Sequence, residues 1–164
     1  MRCWNKENKM NKPKKIYLKE NGEWAEFDFA TSDEELVKRG ISISETAEIG
    51  ENVSLGDNVF IGDGATIGAR AVVGEGAVVG VGVALGDGAI IEVGAVVEAW
   101  AIIGVGAVVG AWAFVRKRAV VGEGATIGEG AVVGESAAVE DAARDAAWEE
   151  QNKRLEEMIK GLKK

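Results

Sequence analysis

Histidine is absent from this chain, and that absence removes more functions than any motif in it supports. The side chain best suited to general-base work near neutral pH is not available. Cys3 is the lone cysteine, so neither a disulfide framework nor a thiolate metal cluster is expected. Aromatic residues make up 6% of the 164, too few for a core of large side chains. Gly and charged residues interrupt every apolar run, which argues against a membrane-spanning segment. No apolar stretch follows the basic N-terminus as a signal peptide would require, so a soluble, cytoplasmic chain is the expectation. Net charge is −8, but the first fifteen residues hold six Lys/Arg against one acid, leaving −13 for the rest. So acidic a body is not expected to bind nucleic acid, and the basic leader reads as a solvated tail.

What is present is a repeat. From Ile43 to Arg144 a six-residue unit recurs seventeen times without insertion or deletion. An aliphatic residue opens each unit, as at Ile43, Ile49, Leu55 and Ile61 and on to Val139, and only Ala or Val stands four residues later. A period of six fits neither a helix nor an ordinary meander, so the chain reads as a solenoid. The second position is usually Gly and the fourth often is, which suits backbone corners. The small residue and the next aliphatic, two apart, point to one side of a short strand. Each hexad is thus one strand and one turn, with one large and one small side chain inside.

The ends differ from the repeat. Residues 1–15 form a flexible basic tail and 16–42 an N-terminal cap. Within the cap, Ile16–Leu18 and Trp24–Phe29 flank Asn21–Gly22 as a hairpin. Ser32 with Glu35 makes a capping box for a short helix over Asp33–Arg39, stopped by Gly40. The solenoid occupies 43–144. A C-terminal helix over 145–164 follows, extending an apolar stripe of Ala142, Ala146, Trp148, Leu155, Met158, Ile159 and Leu162.

The hexad pattern resembles the hexapeptide-repeat family of transferase-like proteins. The resemblance implies an all-β solenoid, a left-handed parallel β-helix in which three hexads make one triangular coil of eighteen residues. Seventeen hexads then give about six coils and a stack of roughly 27 Å at about 4.8 Å per strand. It also implies a homotrimer packed side by side. Many enzymes of the family use a histidine base, and a carbonic-anhydrase branch binds zinc through three histidines; neither fits this sequence. Family members such as tetrahydrodipicolinate succinyltransferases work through carboxylates, which would make Glu92 and Glu98 the candidate bases here.

Stacking at eighteen residues lines up the sixth hexad positions as outward columns. They are Glu48, Thr66, Ala84, Ile102, Val120, Ala138; Ser54, Val72, Ile90, Val108, Thr126; and Phe60, Val78, Val96, Phe114, Val132. All are apolar in the middle, which implies a covered surface. Departures from the repeat fall between Glu92 and Arg118. Glu92 and Glu98 replace position-two glycines, Trp100 and Trp112 stand at corners, and Arg116–Lys117–Arg118 is the one basic run of the solenoid. Register sets Arg116 one coil above Glu98 and Arg118 one coil above Trp100, so an ion pair and a cation–π contact are expected. These seven residues are the candidate ligand-binding set; no catalytic residue and no metal ligand is assigned.

With no histidine and no loop breaking the repeat, the first reading is a non-catalytic, self-associating structural scaffold without cofactor, engineered or idealised, or a degenerate enzyme. The alternative is an acyltransferase using acetyl-CoA and a carboxylate base. A third reading is a carbohydrate-binding module centred on Trp100 and Trp112. Gly-x-Gly strings such as Gly62–Asp63–Gly64 recur throughout and open no helix, so they are turn glycines and not a dinucleotide site.

Overall fold

The computed structural model describes residues 15–20, 22–29 and 33–140, together with 153, 154, 157 and 160. A hairpin comes first, β1 (Lys15–Glu20) and β2 (Glu23–Asp28), then a short helix α1 (Asp33–Lys38). Seventeen short strands follow, one per hexad, from β3 (Ser42–Ile43) to β19 (Ala138–Val139). Three strands make a turn, so the left-handed parallel β-helix has five complete turns and two further strands.

Three sheets run the length of the stack. Face A carries β5 (Val53–Leu55), β8 (Val72–Val73), β11 (Ile90–Ile91), β14 (Val108–Val109) and β17 (Thr126–Ile127), and the hairpin extends it to seven strands. Face B runs from β3 through Phe60–Ile61, Val78–Val79, Val96–Val97 and Phe114–Val115 to Val132–Val133. Face C runs from Glu48–Ile49 through Thr66–Ile67, Ala84–Leu85, Ile102–Ile103 and Val120–Val121 to β19. The pairing register follows the expected columns residue for residue, Ala84 opposite Thr66 and Ile102, Phe114 opposite Val96 and Val132.

The hexad explains this architecture. Its opening aliphatic and its small residue both point inward: Ile61, Val73, Val97 and Val109 are fully buried, as are Ala65, Ala77, Ala95 and Ala107. Burying each large side chain contributes about 1.5–3 kcal/mol before the entropy of ordering is counted. Backbone groups pair with the neighbouring coil, for example Val72 N–H to Ala89 C=O at 2.9 Å and Gly74 N–H to Ile91 C=O at 2.7 Å. Corners are tied in the same way, with Gly76 N–H donating to Asp57 C=O at 2.8 Å. Since nearly every buried polar group must find a partner, the uniform period supplies its own satisfaction.

Glycine serves two different purposes here. Position four is left-handed, and non-glycine residues adopt it too, among them Asn52, Asn58, Arg70, Trp100, Trp112 and Arg118 at φ between 58° and 63°. Position two instead lies against the backbone of the next coil: a Cβ on Gly68 would meet the Gly86 carbonyl carbon at 2.4 Å. The repeat therefore selects glycine for close approach at one position and for backbone freedom at the other.

β1 acts as a first rung for face A. It pairs parallel with β5, Ile16 opposite Val53 and Leu18 opposite Leu55, and both Ile16 and Leu18 are fully buried. Lys15 and Glu26 bridge the two hairpin strands at 2.6 Å, and that hydrogen bond and charge hold the Lys15 pKa above the ordinary lysine value. Arg39, just after α1, reaches Glu35 and Asp57, bonds the Lys19 carbonyl and lies 5.6 Å from the Phe27 ring, fastening helix and hairpin to the first coil. The expected basic tail, apart from Lys15, and Ser32 of the capping box lie outside the described residues. So does the expected C-terminal helix, except Lys153, Arg154, Glu157 and Lys160, which are helical and exposed. Among the described residues no helix is long and apolar enough to cross a membrane.

Candidate functional site

Side chains that leave the strand faces do so at the corners, so the chemistry of a β-helix is written there. Each corner holds positions two to four of one hexad, and the three corners of a turn look in different directions. The seven candidate residues divide between two of them. Glu98, Trp100 and the Arg116–Lys117–Arg118 run share the corner between faces B and C, over two successive coils. Glu92 and Trp112 share the corner between faces A and B, again one coil apart. Face B, with Phe60 and Phe114 exposed, lies between the two groups.

At the corner between B and C, Glu98 is half-buried while Arg116, Lys117 and Arg118 are exposed. The Lys117 N–H donates to Glu98 Oε2 at 3.2 Å. The register is as expected, yet the side-chain contacts drawn from it are not made. Among the described residues no ion pair joins Glu98 to Arg116, and no guanidinium stacks on Trp100. The physical reason is local: Glu98 bends to a backbone donor one coil on, and exposed guanidiniums gain little from surface pairing.

Trp100 is 61% exposed in the left-handed conformation, with its ring over Gly82 of the preceding coil; a Cβ there would lie 2.5 Å from the indole Cε3. Trp112 repeats the arrangement over Gly94, where the corresponding distance is 2.4 Å. An exposed corner indole is thus bought by a bare glycine beneath it. Gly82→Ala is expected to tip the Trp100 ring off this seat and to lose about 1–2 kcal/mol through the left-handed backbone. The check is an indole fluorescence change that disappears in a Trp100→Phe background; an unchanged spectrum would mean that the ring is not seated there. Because the two indoles stand at different corners, they form no shared sugar platform on one chain.

At the corner between A and B, the Glu92 Oε2 accepts the Ala111 N–H at 2.9 Å, the same device that holds Glu98. Beside it a cavity of about 220 Å³ opens between face A and the hairpin. Val72 and Ile90 lie on its wall, Glu75 and Glu92 on its corner side, and Lys19 and Trp24 reach it from the hairpin. Lys19, Trp24 and Glu75 were not among the residues marked from sequence. The signal for Trp24 was present, since a large indole stands on an outer strand, but the fold of the hairpin over face A is needed to place it.

The family model for the GMPPB C-terminal domain matches residues 31–143. No curated protein matches significantly. Among solved structures, a histidine-to-alanine variant of GDP-perosamine N-acetyl transferase from Caulobacter crescentus, in complex with CoA and GDP-perosamine, is similar at 24% identity and TM-score 0.59. That match covers 67% of this chain and 58% of the transferase, less than two thirds of its length. A hexapeptide transferase family protein from Anaplasma phagocytophilum matches at 27% identity and TM-score 0.40, covering 61% of this chain and 69% of that one. The likeness to the N-acetyl transferase fold corrects the expectation of a non-catalytic scaffold. An unbroken stack and a missing histidine favoured a scaffold over the acyltransferase alternative, yet the similar fold is one that an N-acetyl transferase uses.

Proposed function

The chain belongs to the GMPPB C-terminal domain family, and we propose that on this hexapeptide-repeat frame it transfers an acyl group from CoA to an amine or hydroxyl, using a carboxylate as base. The observation that carries this reading is the corner between faces B and C. There a half-buried carboxylate, Glu98, stands next to the basic run Arg116–Lys117–Arg118 and an exposed indole, Trp100. The cations suit the phosphates of CoA, and the indole offers a face on which a purine can stack. Glu98 is preferred to Glu92 as the base because no cation stands at the other corner among the candidate residues. In the step proposed, the acceptor heteroatom bonds to the thioester carbon and gives its proton to Glu98. The C–S bond breaks, and the sulfur leaves with a proton as free CoA thiol.

Self-association belongs to the same reading. Phe60, Phe114 and Val132 on face B, with Ile102 on face C, are 44–60% exposed. Three copies side by side would cover such faces, with the donor corner of one chain brought close to a neighbour. Light scattering is expected to give a trimer at micromolar concentration, and a monomer there would remove this part. Calorimetry is expected to show acetyl-CoA binding that weakens at least about tenfold when Arg116, Lys117 and Arg118 are all changed to Ala. Equal binding by wild type and the triple variant, or none by either, would overturn the reading.

A further inference from the structure

The cavity between the hairpin and face A takes no part in the acyl-donor corner. We infer that it binds an organic ammonium ion with an apolar body. Three features of its wall argue for that class of ligand. Val72 and Ile90, from the outward column of face A, provide an apolar floor that a hydrocarbon or aromatic body can cover. Trp24, 44% exposed and opposite Lys19 in the hairpin register, brings its indole to the wall of the cavity. An indole attracts a cation more strongly than any other aromatic side chain does.

The third feature is the pair of carboxylates. Glu75 and Glu92 come from successive coils at the same corner and line the same cavity. Glu92 stands where the repeat otherwise asks for a bare glycine, and the Ala111 N–H engages its Oε2 at 2.9 Å. That bond fixes the carboxylate and leaves its second oxygen without a hydrogen bond among the described residues. An ammonium group can bond that oxygen while its apolar body lies on Val72 and Ile90. Lys19, on the hairpin side, adds a positive charge to the wall that weakens the attraction for any cation and disfavours a diamine more than a monoamine. Because both glutamates are exposed, the attraction is screened, and a dissociation constant of about 1 mM is expected.

The test uses the full chain at low salt with phenethylamine and its neutral counterpart, phenethyl alcohol, followed by calorimetry. Phenethylamine is expected to saturate near about 1 mM and the alcohol to bind at least about fivefold more weakly. Glu92→Gln, which keeps the shape and the acceptor for Ala111, is expected to bring the amine down to the level of the alcohol. Trp24→Phe, chosen to preserve the hairpin, weakens it less. Glu98→Gln is expected to leave amine binding unchanged, so this site stands or falls separately from the acyl-transfer reading. Equal affinity for amine and alcohol, a Glu92→Gln variant that binds like wild type, or no saturation by about 20 mM would each overturn the inference.

Discussion

Gly68→Ala is expected to destabilise the β-helix by about 3 kcal/mol, whereas Gly64→Ala should cost about 1–2 kcal/mol. The two glycines differ by four residues and by the reason for their presence. A Cβ on Gly68 would lie 2.4 Å from the Gly86 carbonyl carbon, 2.5 Å from the Asp87 nitrogen and 2.7 Å from the Gly86 oxygen. Those atoms are backbone, tied into the ladder by Gly68 N–H to Leu85 C=O at 2.8 Å, so they cannot swing aside as a side chain would. The coils must separate locally, and neighbouring ladder bonds lengthen with them. Gly64 has φ of 62° and nothing within 4 Å of an added Cβ, so only its left-handed backbone resists substitution. Gly64→Asn should be milder still, since Asn52 and Asn58 hold that conformation at equivalent corners. Denaturant midpoints at unchanged slope would measure the difference. Equal losses at positions 64 and 68 would refute the assignment of two separate roles.

Glu92 and Glu98 sharpen that argument, because they stand at position two with full side chains. Each is accommodated with a bond that plain alanine cannot make, from its carboxylate to the Ala111 or Lys117 N–H one coil on. Those bonds were invisible in the sequence, where both residues read as interruptions of a glycine pattern and as candidate bases. The columns were legible because register in a parallel stack follows from period alone, and Ile102 sits between Ala84 and Val120 as counting requires. Side-chain pairing does not follow from period. Counting set Arg116 above Glu98 correctly, but the rotamer of Glu98 is decided by a nearby backbone donor. Counting also treated Glu92 to Arg118 as a single band, although residues six apart face different sides of the triangle. The cavity was beyond reach for another reason: it depends on how the tip of the hairpin, with Lys19 and Trp24, lies relative to Val72 and Ile90, and no periodicity specifies that.

Glu98→Gln is expected to lower acyl transfer about 10²–10⁴-fold, the usual worth of a positioned general base. The substitution is nearly isosteric, and the amide oxygen can still accept the Lys117 N–H that the carboxylate accepts at 3.2 Å. Corner geometry and stability should therefore be little changed, which separates a chemical role from a structural one. Acetyl-CoA affinity should be unchanged or slightly higher, because a negative charge beside Arg116–Lys117–Arg118 has been removed. The loss would then fall on kcat and not on KM, the pattern of a group that acts only in the transition state. Glu92→Gln is the matched control: it makes the equivalent bond to Ala111 at a corner without those cations, and transfer should persist. Release of the CoA thiol, followed with a thiol reagent, measures both variants. Turnover surviving in Glu98→Gln, or falling equally in the two, would remove Glu98 as the base.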